Sequence, residues 1–123
     1  ILGAESRGFI FGAALAYKMG ASFSMIRKPG KLPFDTIFEE YQLEYGVDKI
    51  ELHIDAAKEN EKVLIIDDLL ATGGTVKACV NLVERLGAEV VGIGFIIELI
   101  GLNGREGLDG YNIVALEEIE VDE

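Results

Sequence analysis

The sequence predicts a single α/β domain over residues 1–123, built on a mainly parallel, twisted sheet flanked by helices. Residues 62–66 (KVLII) and 88–99 (AEVVGIGFIIEL) are largely apolar without alternation, as in parallel strands buried on both faces. Between them, residues 75–86 repeat apolar side chains on one helical face and are followed by Gly87, a common helix terminator. Strands that alternate with helices in this way are typical of parallel sheets.

The first predicted elements are a strand stub and a helix. Residues 1–3 predict the stub, and the helix is expected from about Gly8 to a stop at Gly20. The apolar residues of this helix, Ile10 and Tyr17 among them, fit packing of the helix rather than a cofactor site.

A short strand is expected at 21–26, and the segment after it, residues 27–46, differs from the rest of the chain. Both prolines, Pro29 and Pro33, lie in this segment, and only the stretch EYQLEY hints at strand alternation. A segment of this length without a clear pattern is more often a functional lid than a plain connector. We therefore expect a lid over a site.

The remaining elements complete the sheet. Alternation at 49–54 predicts a strand with two different faces. Residues 101–110 form a glycine-rich connector with room for one helical turn, and residues 111–119 predict the last strand. Five acids among the final seven residues, EEIEVDE, predict a solvated tail.

Composition disfavours several classes of protein. Twenty-two acidic residues against 11 Lys and Arg give a net charge of −11, which argues against nucleic acids and anionic membranes as main partners. The apolar runs are too short to span a bilayer. The single cysteine, Cys79, cannot form an internal disulfide, so we expect a reducing, cytoplasmic location.

The stretch VLIIDDLLATGGT (63–75) carries the strongest functional pattern. Asp67 and Asp68 follow a buried strand, and ligands of open α/β sheets bind at the carboxyl ends of strands. The glycine pair Gly73 and Gly74 then opens a helix, where successive N–H groups can hold an anion. Phosphate donors beside carboxylates suit a sugar phosphate. Taken alone, the motif is equally consistent with aspartates that only cap a turn.

This stretch also resembles the phosphoribosyl-pyrophosphate (PRPP) signature of the type I phosphoribosyltransferases. Three further pieces, GAESRGFIFG (3–12), IRKPGKLP (26–33) and YQLEYG (41–46), are similar to adenine phosphoribosyltransferases in order and spacing. The resemblance covers nearly the whole chain. It implies the type I fold with a flexible catalytic loop, and a cytoplasmic purine-salvage reaction in which adenine and PRPP give AMP and pyrophosphate with Mg²⁺.

The resemblance also bears on the start of the chain. The opening ILGAE, without Met, looks like the end of a buried strand. Members of the family carry, before the position of Ile1, a hood that covers the base. We therefore expect that the hood segment is absent from this chain and that base specificity cannot be read from it completely.

The resemblance implies roles for the residues of the 63–75 stretch. Asp67 and Asp68 are implied to be catalytic, contacting the 2- and 3-hydroxyls of the ribose. Mg²⁺ is expected to be chelated mainly by substrate and water rather than by protein ligands. The residues implied to bind the ribose 5-phosphate are Ala71, Thr72, Gly73, Gly74 and Thr75.

Pyrophosphate requires cations, and RKPGK is the densest basic cluster of this acidic chain. A charge run of this kind alone is usually a solvated loop. By the resemblance, basic residues here serve pyrophosphate, in part at the neighbouring subunit's site, which implies a homodimer. A cis peptide bond is also implied at Glu5–Ser6. The residues expected to bind pyrophosphate are Ser6, Arg7, Arg27, Lys28 and Lys31.

The base is expected to meet three residues. Glu44 matches a family residue near the purine N7 and is a candidate general acid or base, although without the family it would read as a solvated hairpin acid. Tyr45 is expected to pack over the substrate as part of the lid. Leu99 is expected to form one apolar wall against the base.

Three alternatives stay open at this point. The enzyme could act on another purine base or on orotate. The chain could be a regulatory protein that senses PRPP and binds nucleic acid, although it has no basic face or helix-turn-helix signal. It could also be a truncated fragment that binds ribose phosphate without turnover.

Overall fold

The structure, a computed structural model, describes residues 1–43 and 46–121 and confirms the predicted α/β class. A five-stranded sheet has the order β2-β1-β5-β6-β7, and β3 and β4 form a separate two-stranded sheet. The elements are β1 (Leu2–Ala4), α1 (Arg7–Met19), β2 (Ser24–Ile26), β3 (Thr36–Leu43), β4 (Gly46–His53), β5 (Lys62–Leu70), α2 (Gly74–Arg85), β6 (Glu89–Ile100) and β7 (Ile113–Glu120).

Every pairing within the five-stranded sheet is parallel. Gly3 of β1 pairs with Ile66 of β5, and Asp67 of β5 pairs with Phe95 of β6. Because parallel strands present their carboxyl ends at one edge, the loop after β1 and the loop after β5 come together there. This edge positions the candidate site.

Helix α2 packs its apolar face into the core. Leu82 and Val83 are fully buried, as are Ile65 of β5 and Leu52 of β4, so the hairpin shares this core with the sheet. The prediction that Cys79 belongs to the core is confirmed, and burial raises the pKa of its thiol far above the usual range. A thiol in this state is not a nucleophile.

Helix α1 approaches the sheet through small residues instead. A Cβ added at Gly8 would lie 2.7 Å from the carbonyl oxygen of Ile66, so only glycine allows this closeness. Two of its large apolar side chains point away, because Ile10 is 69% and Tyr17 91% exposed. The expectation that these two side chains pack the helix was therefore wrong, because the packing face is made of Gly8, Gly12 and Ala16.

Three further expectations need correction. The segment 27–46 is not patternless, because residues 36–43 form β3, which pairs antiparallel with β4. The acidic end is not a tail as far as Glu120, because β7 continues to that residue in parallel pairing with β6. The acidic side chains within β7, Glu117, Glu118 and Glu120, are nevertheless exposed, as expected. The connector 101–110 forms turns rather than a helical turn.

Within the part of the chain that is described, no helix has both the length and the apolar character needed to cross a membrane.

Candidate active site

A cavity of about 540 Å³ lies at the carboxyl edge of the sheet. Its volume is in the range of small-molecule sites. The β1–α1 loop, the end of β5, the start of α2 and the hairpin all contribute to its wall. The lining residues that matter for the site are Ser6, Arg7, Lys28, Tyr41, Asp67, Asp68, Ala71, Thr72, Gly73, Gly74 and Thr75.

The loop between β5 and α2 presents backbone to this cavity. Gly73 has a φ of 88°, a left-handed conformation that favours glycine, and α2 begins at the next residue. No side chain of the described residues caps this helix start. The N–H groups of a first helical turn have no partner within the helix and carry the positive end of its dipole. The fold therefore provides the helix start that the predicted anion cradle requires.

Two carboxylates face the same cavity at the end of β5. The backbone N–H of Asp68 donates to Oδ1 of Asp67 at 2.8 Å, and Nε of Arg7 pairs with Oδ2 of Asp68 at 2.7 Å. Arg7 is 73% exposed and Asp68 22%, so this ion pair lies at the mouth of the cavity rather than inside the core. A substrate can displace an exposed partner of this kind at small cost.

Burial raises the pKa of Asp67 to about 7, and the neighbouring Asp68 contributes to the rise while Arg7 opposes it. Desolvation disfavours the charged carboxylate, and so does a second carboxylate close by. Asp67 therefore takes up a proton more readily than an ordinary aspartate. A developing positive charge beside it would favour the ionised form.

The β1–α1 loop closes the cavity on a second side. The peptide bond between Glu5 and Ser6 is cis, as the resemblance implied. Ser6 and Arg7 both line the cavity. Glu5 also lines the cavity, and its Oε1 accepts from Nε of Arg27 at 3.1 Å and from the backbone N–H of Lys28 at 2.9 Å.

The structure separates the basic residues that the sequence grouped together. Lys28 lines the cavity, whereas Arg27 and Lys31 do not. Arg27 is instead held by Glu5 and lies over the ring of Phe9, 5.7 Å from its centroid. Three of the five expected pyrophosphate residues, Ser6, Arg7 and Lys28, thus share one cavity.

Two residues that sequence reasoning missed hold Lys28 in place. Nζ of Lys28 donates to the hydroxyl of Tyr41 at 2.7 Å and to the carboxylate of Asp48. Tyr41 and Asp48 are directly opposite each other in the β3–β4 register. A hairpin prediction across 36–53 would have brought them together.

Of the three residues expected to meet the base, the structure describes Leu99. Glu44 and Tyr45 lie outside the described residues, so their roles stay predictions. Leu99 is half-buried and lines a separate cavity of about 270 Å³ rather than the larger one. In the stretches 1–43 and 46–121, no group of three or more His, Cys, Asp or Glu side chains is placed to hold a metal ion.

Comparison with known proteins agrees with this geometry. A family profile described as "phosphoribosyl transferase domain" matches residues 1–119. The chain belongs to the phosphoribosyltransferase family. Its similarity extends to curated adenine phosphoribosyltransferases, such as that of Acetivibrio thermocellus, which is 60% identical over 116 residues, or 94% of this chain and 68% of the relative. The chain thus spans about two thirds of the length of this relative.

Solved phosphoribosyltransferase structures share the fold. The adenine phosphoribosyltransferase of Thermoanaerobacter pseudethanolicus superposes with a TM-score of 0.93 at 53% identity, covering 96% of this chain and 69% of that one. The Saccharomyces cerevisiae enzyme, solved with adenine and an imino-altritol bisphosphate, gives 0.90 at 41% identity, covering 94% and 65%. The Trypanosoma brucei enzyme, solved with AMP, pyrophosphate and ribose-5-phosphate, gives 0.87 at 32%, covering 95% and 54%.

Proposed function

We propose that the protein transfers the 5-phosphoribosyl group from PRPP to adenine, giving AMP and pyrophosphate. The observation that carries this proposal is that the loop 71–75 at the start of α2 and the neighbouring carboxylates of Asp67 and Asp68 line one cavity. The names of the relatives, adenine phosphoribosyltransferases at 60% and 61% identity, support adenine rather than another base. Purine salvage in the cytoplasm is the setting that we propose.

The reaction separates charge, and the cavity has groups of suitable sign at each end. Displacement of pyrophosphate from the ribose develops positive charge on the sugar ring, as in glycoside cleavage. Asp67 and Asp68 would accept hydrogen bonds from the ribose hydroxyls and stabilise that charge. Fixed groups aimed at developing charge lower the barrier because they need no reorganisation during the reaction. Residues 71–75 would hold the 5-phosphate.

The leaving pyrophosphate would meet Ser6, Arg7 and Lys28. An arginine fork binds phosphate oxygens in a bidentate manner, and lysine acts as a point charge. Arg27 and Lys31 lie on the same basic loop but away from this cavity. We propose that these two residues serve pyrophosphate in the neighbouring subunit of a homodimer.

Mg²⁺ is the proposed cofactor. Two carboxylates that face a substrate rich in phosphate oxygens suit this ion, which is usually bound through one or two carboxylates, substrate phosphates and water. Asp67 and Asp68 would contact it or its waters. The ion would neutralise pyrophosphate charge as the bond breaks.

The base is proposed to lie towards Glu44, Tyr45 and Leu99. Glu44 would exchange a proton with the purine, and Tyr45 would cover the substrate. A closed lid excludes water, which would otherwise attack the activated ribose in place of adenine. Leu99 would supply an apolar wall.

One assay tests the activity and its base. The protein is incubated with PRPP, Mg²⁺ and, separately, adenine, hypoxanthine, guanine, xanthine or orotate, while nucleotide and pyrophosphate are followed. AMP and pyrophosphate in equal amounts with adenine alone are the expected result. Efficient product with a different base would reassign the substrate, and PRPP binding without product for any base would favour a sensor or an inactive fragment.

A further inference from the structure

The connector after β6 packs against the loop between β5 and α2 (71–73), called here the phosphate loop. We propose that residues 101–108 are a positioning element for the 5-phosphate cradle, with Gly104 as its contact and the ion pair of Glu98 with Arg105 as its clamp. This inference rests on the proposed function, because it assigns the cradle to a phosphate ester. It concerns residues that do not line the cavity themselves.

The contact between the two loops is backbone against backbone. A Cβ added at Gly104 would lie 2.5 Å from the carbonyl oxygen of Ala71 and 2.8 Å from Cγ of Leu70. A Cβ added at Gly73 would lie 2.4 Å from the carbonyl oxygen of Gly104. Each side of this contact therefore requires a glycine. Gly104 itself is buried.

This contact touches the point where the cradle turns into the helix. Gly73 is the left-handed residue that immediately precedes α2. The direction of the N–H groups at Gly74 and Thr75 follows from its backbone angles. A neighbouring backbone that blocks movement of Gly73 keeps those groups aimed at one place. Misplacement of a binding group by about 1 Å can cost on the order of a hundredfold in rate.

Glu98 and Arg105 fix the connector on the side away from the cavity. Within 1–43 and 46–121, Glu98 is the one charged residue that is buried, at 6% exposure. Nε of Arg105 lies 3.0 Å from each carboxylate oxygen of Glu98, and Nη2 lies 2.7 Å from Oε1. A carboxylate taken out of water needs such a bidentate partner. The pair joins the end of β6 to the residue that directly follows Gly104.

The rest of the connector is anchored as well. Leu108 is 3% exposed within the core, and its N–H donates to the carbonyl oxygen of Arg105 at 3.0 Å. A Cβ added at Gly107 would lie 2.9 Å from Cε of Lys77, on the first turns of α2. The connector thus holds the sheet, the phosphate loop and α2 together. A plain surface link between two strands needs none of these contacts.

The test measures how strongly the protein recognises the phosphate itself. Dissociation constants of AMP and adenosine are measured by titration calorimetry. The dissociation constant of adenosine divided by that of AMP reports the contribution of the 5-phosphate. We expect Glu98→Gln and Arg105→Met to reduce this ratio about tenfold, and Arg105→Lys to reduce it less because it keeps the charge. Asp109→Asn, an exposed change just after this element, is the matched control and should leave the ratio unchanged.

Gly104→Ala separates positioning from folding. It adds one methyl group against Ala71 without removing a charge, and thermal unfolding shows whether the variant folds. In the folded variant we expect a reduced ratio and a raised KM for PRPP, with the KM for adenine little changed. Equal weakening of AMP and adenosine, or an unchanged ratio in all four variants, would overturn the positioning role. A wild-type protein that binds AMP no better than adenosine would instead overturn the proposed function.

Discussion

The two walls of the cavity are constructed differently. The wall at 67–75 comes from one continuous stretch and offers two carboxylates and a run of backbone N–H groups. The opposite wall, at Lys28 and Tyr41, depends on a loop and a hairpin, and its cation is held by the pairing of Tyr41 with Asp48. The first wall combines a main-chain cradle with two carboxylates, and the second works through side chains alone.

This difference teaches where each wall is vulnerable. A backbone cradle has no side chain whose removal abolishes it, so it fails when a substitution changes the path of the chain. A side-chain wall keeps its path and fails when a charge is removed. Substitutions chosen on this basis should separate rate, phosphate affinity, pyrophosphate affinity and stability.

The largest effect is expected at the carboxylates of the first wall. Asp67→Asn removes a charge beside the sugar, where positive charge develops only as the reaction proceeds. We expect kcat to fall by about 10²- to 10³-fold, with the affinity for AMP changed by less than about threefold. Steady-state rates and AMP titration check this. Asp55→Asn, an exposed acid, is the control, and normal turnover of the Asp67 variant would refute the role assigned to that carboxylate.

A change of backbone should come next in size. Gly73 and Gly20 both have left-handed backbone angles, with φ of 88° and 70°, but only Gly73 has a neighbour within 4 Å of an added Cβ. Gly73→Ala should weaken AMP binding at least tenfold, because both strain and collision displace the cradle. Gly20→Ala carries the strain alone, so it should lower stability by about 1 kcal/mol and leave AMP binding intact.

Calorimetry and thermal unfolding of both variants measure these quantities. If the two glycine variants lost AMP affinity to the same extent, the contact of Gly73 with the connector would have no special importance.

The same contrast explains what could be predicted from the sequence. The helix of this region was predicted to within one residue at each end, because a glycine pair and a periodic helix are local signals. The strand before it begins at Lys62 as predicted but continues to Leu70 instead of ending at 66, so Asp67 and Asp68 lie within it. The hairpin was missed in part, since its first strand has weak alternation. The contacts of Lys28 with Tyr41 and Asp48 depend on that pairing and could not be predicted without it.

The prediction of how helix α1 packs was wrong for another physical reason. Its apolar content predicted packing through large side chains, but contact with β5 requires the closeness that only Gly8 permits. Periodicity shows which residues share a face, and it does not show which face has a partner. The connector contact at Gly104 was equally invisible, because it joins two glycines from different loops.

A smaller effect is expected at the second wall. Lys28→Gln removes one of the two basic side chains that line the cavity, the other being Arg7, and we expect inhibition by pyrophosphate to weaken about fivefold while AMP binding stays within twofold. Product-inhibition kinetics measure the first value. Lys49→Gln, a neighbouring exposed lysine on the hairpin, should change neither. Loss of AMP affinity in the Lys28 variant would show that the two walls are not separate in function.

The smallest effect concerns stability, and its dependence on pH has opposite sign at the two walls. Burial raises the pKa of Asp67 to about 7, so between about pH 4 and 7 the folded protein binds more protons there than the unfolded chain. Stability from this site therefore falls as pH rises through that window. Asp67→Asn removes the penalty and should raise the free energy of unfolding at pH 8 by about 1 kcal/mol, with no gain near pH 4.

At Asp48 the hydrogen bond from Lys28 lowers the pKa of the carboxyl. A lowered pKa adds stability that is present above the unfolded value and is lost as pH falls through the folded one. Asp48→Asn should therefore reduce the free energy of unfolding at both pH 8 and pH 5. Asp67→Asn should instead raise it or leave it unchanged. Denaturant unfolding of both variants across pH 4 to 8 decides the matter. If both substitutions changed the free energy of unfolding in the same direction, the folded protein would not disfavour the ionised carboxylate of Asp67 relative to that of Asp48.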